Sequence, residues 1–159
     1  MMLQRILAPL LLLSLLSALS ADESKKATFE LRLAQDGEHE GWLEKKVGDS
    51  NASDRIFVAP KAELTGKDFH EISFKTDVSG NPLIGFKLTE AAGKRMVKLT
   101  KGNVGKRLAI MLNGKVISAP AIRATITTDG QISGNFDKEN LLAIFQATVL
   151  HGVSSDAAE

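Results

Sequence analysis

His39, His70 and His151 each belong to a residue type that can ligate a metal or act as a general base, and Glu38, Glu40 and Glu71 lie beside the first two. Neither an HxH nor an HExxH spacing occurs, so the sequence sets no two imidazoles on one face for a shared ion. No Gly-x-Ser-x-Gly elbow marks a serine nucleophile. A Ser-His-Asp set drawn from distant segments is the one hydrolytic arrangement that spacing leaves open. The chain has no cysteine, which excludes disulfides, thiolate metal sites and a cysteine nucleophile together. Gly102-Asn103-Val104-Gly105-Lys106 has the glycines and lysine of a phosphate loop. Its spacing is too short, however, Arg107 stands where the Ser or Thr belongs, and a strand rather than a helix follows. We therefore predict no catalytic residue, no metal ligand and no cofactor, and a protein that acts by binding. Trp42, the sole tryptophan, has two readings: it closes one end of a core, or it is an exposed anchor for a protein partner.

The elements that would carry such a surface follow from periodicity. Phe29, Leu31 and Leu33 alternate with Glu30 and Arg32, which predicts a half-buried strand over 28–33. Residues 35–54 are polar and glycine-containing, a loop with at most a short strand around Trp42, and Arg55 to Ala59 forms another strand. Ile72, Phe74, Thr76 and Val78 alternate up to a turn at Ser79-Gly80-Asn81-Pro82, and the apolar run Leu83 to Leu88 completes a hairpin. Thr89 is placed to cap a helix over 90–101, with Ala92, Met96 and Leu99 on its buried face and Gly102 at its end.

The nearly all-apolar run to Leu112 predicts a central strand covered on both faces. Asn113-Gly114 then fits a two-residue type I′ turn, because both positions need positive φ, and Val116 to Ala119 pairs back. On this reading Gly114→Val is costly, and Gly48→Val in the polar segment is mild. Ile122, Ala124 and Ile126 alternate as a further strand, turning at Asp129-Gly130 before Gln131-Ile132-Ser133. Asp137 caps a last helix, with Phe136 stapled to Leu141 and a buried stripe of Leu141, Ile144, Phe145 and Val149. The order of elements predicts the α+β class, a largely antiparallel sheet with two main helices packed on it.

The N-terminus reads as a secretory leader over 1–21: Arg5 precedes an apolar run from Ile6 to Leu19, and small residues at Ala18 and Ser20 favour cleavage after Ser20 or Ala21. The alternative, a retained anchor, falls short of the ~20 apolar residues that cross a bilayer. Lys and Arg total 20 against 19 Asp and Glu, so loss of Arg5 with the leader makes the mature chain neutral. Neutrality argues against nucleic acid or an anionic membrane as partner. The expected organisation is an N-terminal strand plus polar loop over 22–60, a domain over 61–152 and a disordered tail over 153–159.

One stretch has a more specific pattern. Leu88-Thr89-Glu90 is followed by Gly102-Asn103-Val104-Gly105-Lys106-Arg107-Leu108, then by Asn113-Gly114-Lys115-Val116-Ile117-Ser118-Ala119-Pro120, then by Gln131-Ile132-Ser133-Gly134-Asn135-Phe136. This stretch resembles the head subdomain of the large periplasmic loop of SecD, the accessory subunit of the Sec export channel. Asn113 stands where the family commonly has Asp, a swap that suits the same turn, and Thr127-Thr128-Asp129-Gly130 replaces a more glycine-rich turn.

The resemblance implies that Thr89, Gly102, Gly105, Asn113, Gly114, Pro120, Gly134 and Asp137 are the structural motif of an α+β head that contacts translocated polypeptide on the outer face of the membrane. The expected protein is a stand-alone exported domain, periplasmic or extracellular, without the membrane body that couples SecD to proton flow. Its expected partner is unfolded polypeptide or a Sec-linked protein, with a structural role in the envelope as the alternative. In that bacterial setting Asn51-Ala52-Ser53 is a chance match to a glycosylation acceptor.

Overall fold

A computed structural model of the protein describes residues 26–48, 54–134 and 136–149. The expected leader, the Asn51-Ala52-Ser53 site, His151 and the expected tail lie outside the described residues. Along the chain the elements are β1 (Phe29–Gln35), β2 (Leu43–Lys46), β3 (Arg55–Val58), β4 (Leu64–Thr65), a 3-10 turn (Gly66–Asp68), β5 (Phe69–Thr76) and β6 (Pro82–Leu88). There follow α1 (Glu90–Lys101), β7 (Arg107–Leu112), β8 (Lys115–Ser118), β9 (Asp129–Ser133) and α2 (Lys138–Val149). The α+β reading holds, with every strand pairing antiparallel and the strands divided between two sheets.

The larger sheet runs β2-β3-β1-β7-β8, with β4 also on β1. Its edges come together, because Val47, just after β2, bridges Val116 of β8, and the Gly48 amide donates to the Val116 carbonyl at 2.8 Å. Val47 also packs with Ile56, Val58, Ala109, Met111 and Val116 in a small apolar cluster on one face of this curled sheet. The other face of β7 sends Leu108, Ile110 and Leu112 into the main core. That division explains the unbroken apolar run of the strand: both faces are covered, so there is no solvent side to alternate toward.

The main core joins Phe29 and Leu31 of β1, Ile84 and Phe86 of β6, Met96 of α1 and Ile144 of α2. It therefore binds the smaller sheet, ordered β5-β6-β9, to the larger one. Among the described residues no buried side-chain polar atom is unsatisfied. Asp68 accepts from the Thr65 amide at 2.9 Å and pairs with Arg95 of α1 at 2.5 Å, tying the 3-10 turn to that helix. Neither short element, β4 nor the 3-10 turn, carries a periodic signal that sequence could reveal.

Helix α1 begins where expected, with the Ala92 amide donating to Thr89 Oγ1 at 3.3 Å. Its end also falls where expected, at Lys101 with Gly102 as the capping residue. Gly102 stays right-handed at φ −85°, so it supplies no left-handed cap. Asn103 Nδ2 instead donates to the Leu99 carbonyl at 2.8 Å, and the left-handed glycine is Gly105 at φ 91°.

Three further expectations are corrected. Residues 122–127 form no strand. The Ile122 amide donates to Lys106 O, and the Ile126 amide donates to Thr100 Oγ1 on α1 at 2.9 Å, so the segment is held by scattered partners rather than a ladder. Asp129-Gly130 is not a turn but the start of β9, pairing with Lys87 and Phe86 of β6. Gly130 is needed there because a Cβ would run into the Phe86 ring. In α2 the buried residues are Ile144, Ala147 and Thr148, whereas Phe145 and Val149 are 43% and 36% exposed.

The Asn113-Gly114 turn has φ of 50° and 79°, as a type I′ turn requires, and it connects Leu112 to Lys115 directly across the hairpin. Gly114→Val is expected to destabilise by about 1–3 kcal/mol, because a β-branched residue is strained at positive φ. Gly48 is not the mild site expected of it, since its φ is 60° and its amide bonds β8. Gly37, with nothing within 4 Å of an added Cβ, is the proper control. Urea midpoints of Gly114→Val and Gly37→Ala should separate clearly, and equal losses would contradict the turn assignment.

Between β5 and β6 the turn is organised by Asp77, whose carboxylate accepts from the Ser79 and Asn81 amides at 2.8 Å and from Asn81 Nδ2 at 3.0 Å. Asn81, first through its side chain and then through its backbone amide, holds the Asp77 carboxyl below its ordinary value. A depressed carboxyl pKa contributes stability above the unfolded-state value, and that contribution is lost as pH falls through the folded one. Asp77→Ala is therefore expected to lower the melting temperature slightly at neutral pH. The gap to the parent protein should close on acidification, and a pH-independent gap would contradict this role.

Candidate functional site

An open cleft of about 840 Å³ lies between the β7–β8 hairpin, the residues after β2 and the first turns of α2. Three local devices hold its walls. Asn113 Oδ1 accepts from the Thr28 amide and the Asn113 amide donates to Thr28 O, both at 2.9 Å, anchoring the hairpin tip to the start of β1. Asp137 Oδ1 accepts from the Asn140 amide at 2.7 Å, which starts α2 as an N-cap does. Gly134 lets the chain pass close to β8, because a Cβ there would lie 2.7 Å from the Phe136 ring and 2.9 Å from Ser118 Oγ.

The lining is mixed in character. Val116, Ile117, Phe136 and Ala143 give it apolar surface, while Asn113, Lys115, Ser118, Asp137, Glu139 and Asn140 supply donors and acceptors around them. Such a surface suits a chain with alternating apolar and polar groups. Among the described residues no three His, Cys, Asp or Glu side chains converge as metal ligands. No histidine among the described residues lines the cleft either. The charged groups present can orient a bound chain, and no serine is paired with a base in it.

Of the residues singled out in the sequence, the fold brings Asn113 and Asp137 onto this cleft, with Gly114 at the hairpin tip and Gly134 behind Ser118. Pro120 continues from β8, its carbonyl accepting from the Leu108 amide at 2.9 Å. Thr89, Gly102 and Gly105 lie elsewhere, at the two ends of α1 and in the following turn. Trp42 belongs to neither apolar cluster. It is half-buried, with the His39 ring stacked on it at 4.4 Å and the Lys106 ammonium 6.0 Å from its centroid. His70 is exposed on β5. Sequence reasoning missed Val47, Lys115 and Asn140 as members of one site, because only the curl of the larger sheet brings the end of β2 beside β8 and α2.

The same arrangement of elements recurs in known proteins. The SecD translocase subunit of Aquifex aeolicus is 44% identical over 81 residues, covering 50% of this chain and 16% of that protein. The SecD subunit of Rickettsia typhi is 38% identical over 86 residues, covering 54% of this chain and 17% of that protein. The chain thus spans about a sixth of the length of these curated relatives. Among solved structures, the membrane component SecDF, described as enhancing protein export, superposes with a TM-score of 0.59 at 26% identity, over 81% of this chain and 64% of that one. SecDF in a super-membrane-facing form gives 0.59 at 29% identity, over 81% of this chain and 19% of the other. No helix among the described residues is long and apolar enough to cross a membrane. The family model described as "SecDF, P1 head subdomain" matches residues 42–150, a span that takes in β2 through α2 and every wall of the cleft, and the chain belongs to that family.

Proposed function

We propose that this head domain binds extended polypeptide, without catalysis, in the service of protein export on the outer side of a bacterial membrane. The observation that carries the reading is the cleft between the β7–β8 hairpin and α2, built from the segments that carry the family pattern. A cleft of mixed apolar and polar lining takes unfolded chain through side-chain burial and scattered hydrogen bonds, and such binding needs neither nucleotide nor metal. Binding of that kind is weak, on the order of micromolar, since the ligand loses conformational entropy when it is ordered.

Trp42, at the start of the matched span, is a second contact point for a partner, its ring stacked against His39. An unnatural photocrosslinker at Lys115, on the cleft, is expected to capture exported or Sec-linked proteins in the cell envelope, and one at Lys61, exposed between β3 and β4 and away from the cleft lining, is not. Equal capture from both positions would contradict the assignment of the cleft.

A further inference from the structure

β5 is the outer strand of the smaller sheet, and its residues Glu71, Phe74, Lys75 and Thr76 are exposed. No described strand pairs with its outer side, and an open edge of this kind is a template for another strand. Beside it α2 leaves an apolar row uncovered: Leu142, Phe145 and Val149 are 58%, 43% and 36% exposed, at a spacing that places them on one helical face. Phe74 of β5, 42% exposed, extends the row, with its ring centroid 6.3 Å from that of Phe145. Edge and row therefore form one continuous surface.

The sequence of β5 selects the occupant. Pairing two copies of the strand antiparallel about Ser73 sets Glu71 opposite Lys75 of the second copy, twice by symmetry, and sets Ile72 opposite Phe74. Opposite charges and apolar pairs directly across from each other are the contacts that stabilise antiparallel strands. Within each copy Lys87 of β6 already faces Glu71, and Asp129 of β9 faces Lys87, so the alternation of charge would continue across the joint. The irregularity between Phe69 and Glu71 and the turn at Asp77 bound the matching stretch at both ends.

A two-fold axis through an antiparallel pair keeps like faces together. The α2 helices of both copies would lie on one face of the joined sheet, each covering the apolar row of the other. We infer that the β5 edge and the exposed face of α2 are an isologous interface with a second copy of this chain. The interface goes beyond polypeptide binding in the cleft and does not depend on it. A short ladder and a small apolar row place it at the low end of specific interfaces, so dimerisation should be concentration-dependent.

Sedimentation of the full chain across a concentration series tests this. The parent protein is expected to pass from monomer to dimer. Lys75→Glu, which sets carboxylate opposite carboxylate at both symmetry-related pairs, should weaken association by about tenfold. The double variant Glu71→Lys/Lys75→Glu should recover most of the loss. Residues directly opposite in an antiparallel pair have Cα atoms about 4.5–5.5 Å apart, within disulfide reach. In this cysteine-free chain Ser73→Cys should accordingly give an oxidised dimer, and Gln131→Cys on β9 should not. A monomer at every concentration with no Ser73→Cys dimer would overturn the proposal. So would a dimer indifferent to Lys75→Glu, or an edge protected only when unfolded polypeptide is added.

Discussion

Gly66→Ala is expected to destabilise the protein by on the order of 3 kcal/mol, lowering the melting temperature by about 10 °C. Gly66 opens the 3-10 turn between β4 and β5, and a Cβ there would run into the carbonyl group of Ala147 in α2. Both partners are backbone, so no side chain can rotate out of the way. Relief requires α2 to move off the turn, and α2 carries Ile144, fully buried in the main core between the two sheets. The urea midpoint should fall with the slope of the transition unchanged, while Gly37→Ala, in open space, changes little. Indifference to Gly66→Ala would mean that α2 does not pack on the turn.

That contact also shows where reading the sequence succeeds and where it stops. Local chemistry was legible. Thr89 and the apolar spacing after it defined α1 at both ends, and Asn113-Gly114 announced its own turn through the positive φ it needs. Residues whose reasons lie across the fold were not. Gly130 looks like a turn glycine and is in fact room for the Phe86 ring. The alternation of Ile122 and Ile126 mimics a strand, yet its backbone is satisfied by Lys106 and by the Thr100 hydroxyl of α1. In α2, apolar residues occupy Leu141, Leu142, Ala143, Ile144, Phe145, Ala147 and Val149, so periodicity could not choose the buried face. The cleft was invisible for the same reason: the sequence marks Asn113 and Asp137 but does not show that they share a wall with Val47.

The second large effect concerns binding. Asn140→Trp introduces an indole into the cleft from its helical wall, while the backbone amide that donates to Asp137 remains in place. Helix α2 should therefore keep its cap and the protein its melting temperature. Loss of tenfold or more in affinity for unfolded polypeptide is expected, about 1.4 kcal/mol or beyond, because the bulk occupies space that the ligand needs. A variant that binds as the parent does would place the contact surface elsewhere, with the Trp42 and His39 stack as the next candidate.

The most direct measurement is a fluorescence anisotropy titration of a labelled unfolded precursor with the parent protein and with Asn140→Trp, each with and without EDTA and ATP. Polypeptide binding in the cleft predicts saturable binding by the parent, on the order of micromolar, indifferent to chelator and nucleotide and lost in Asn140→Trp. Absence of binding by the parent up to high concentration, or binding that requires metal or nucleotide, would contradict it.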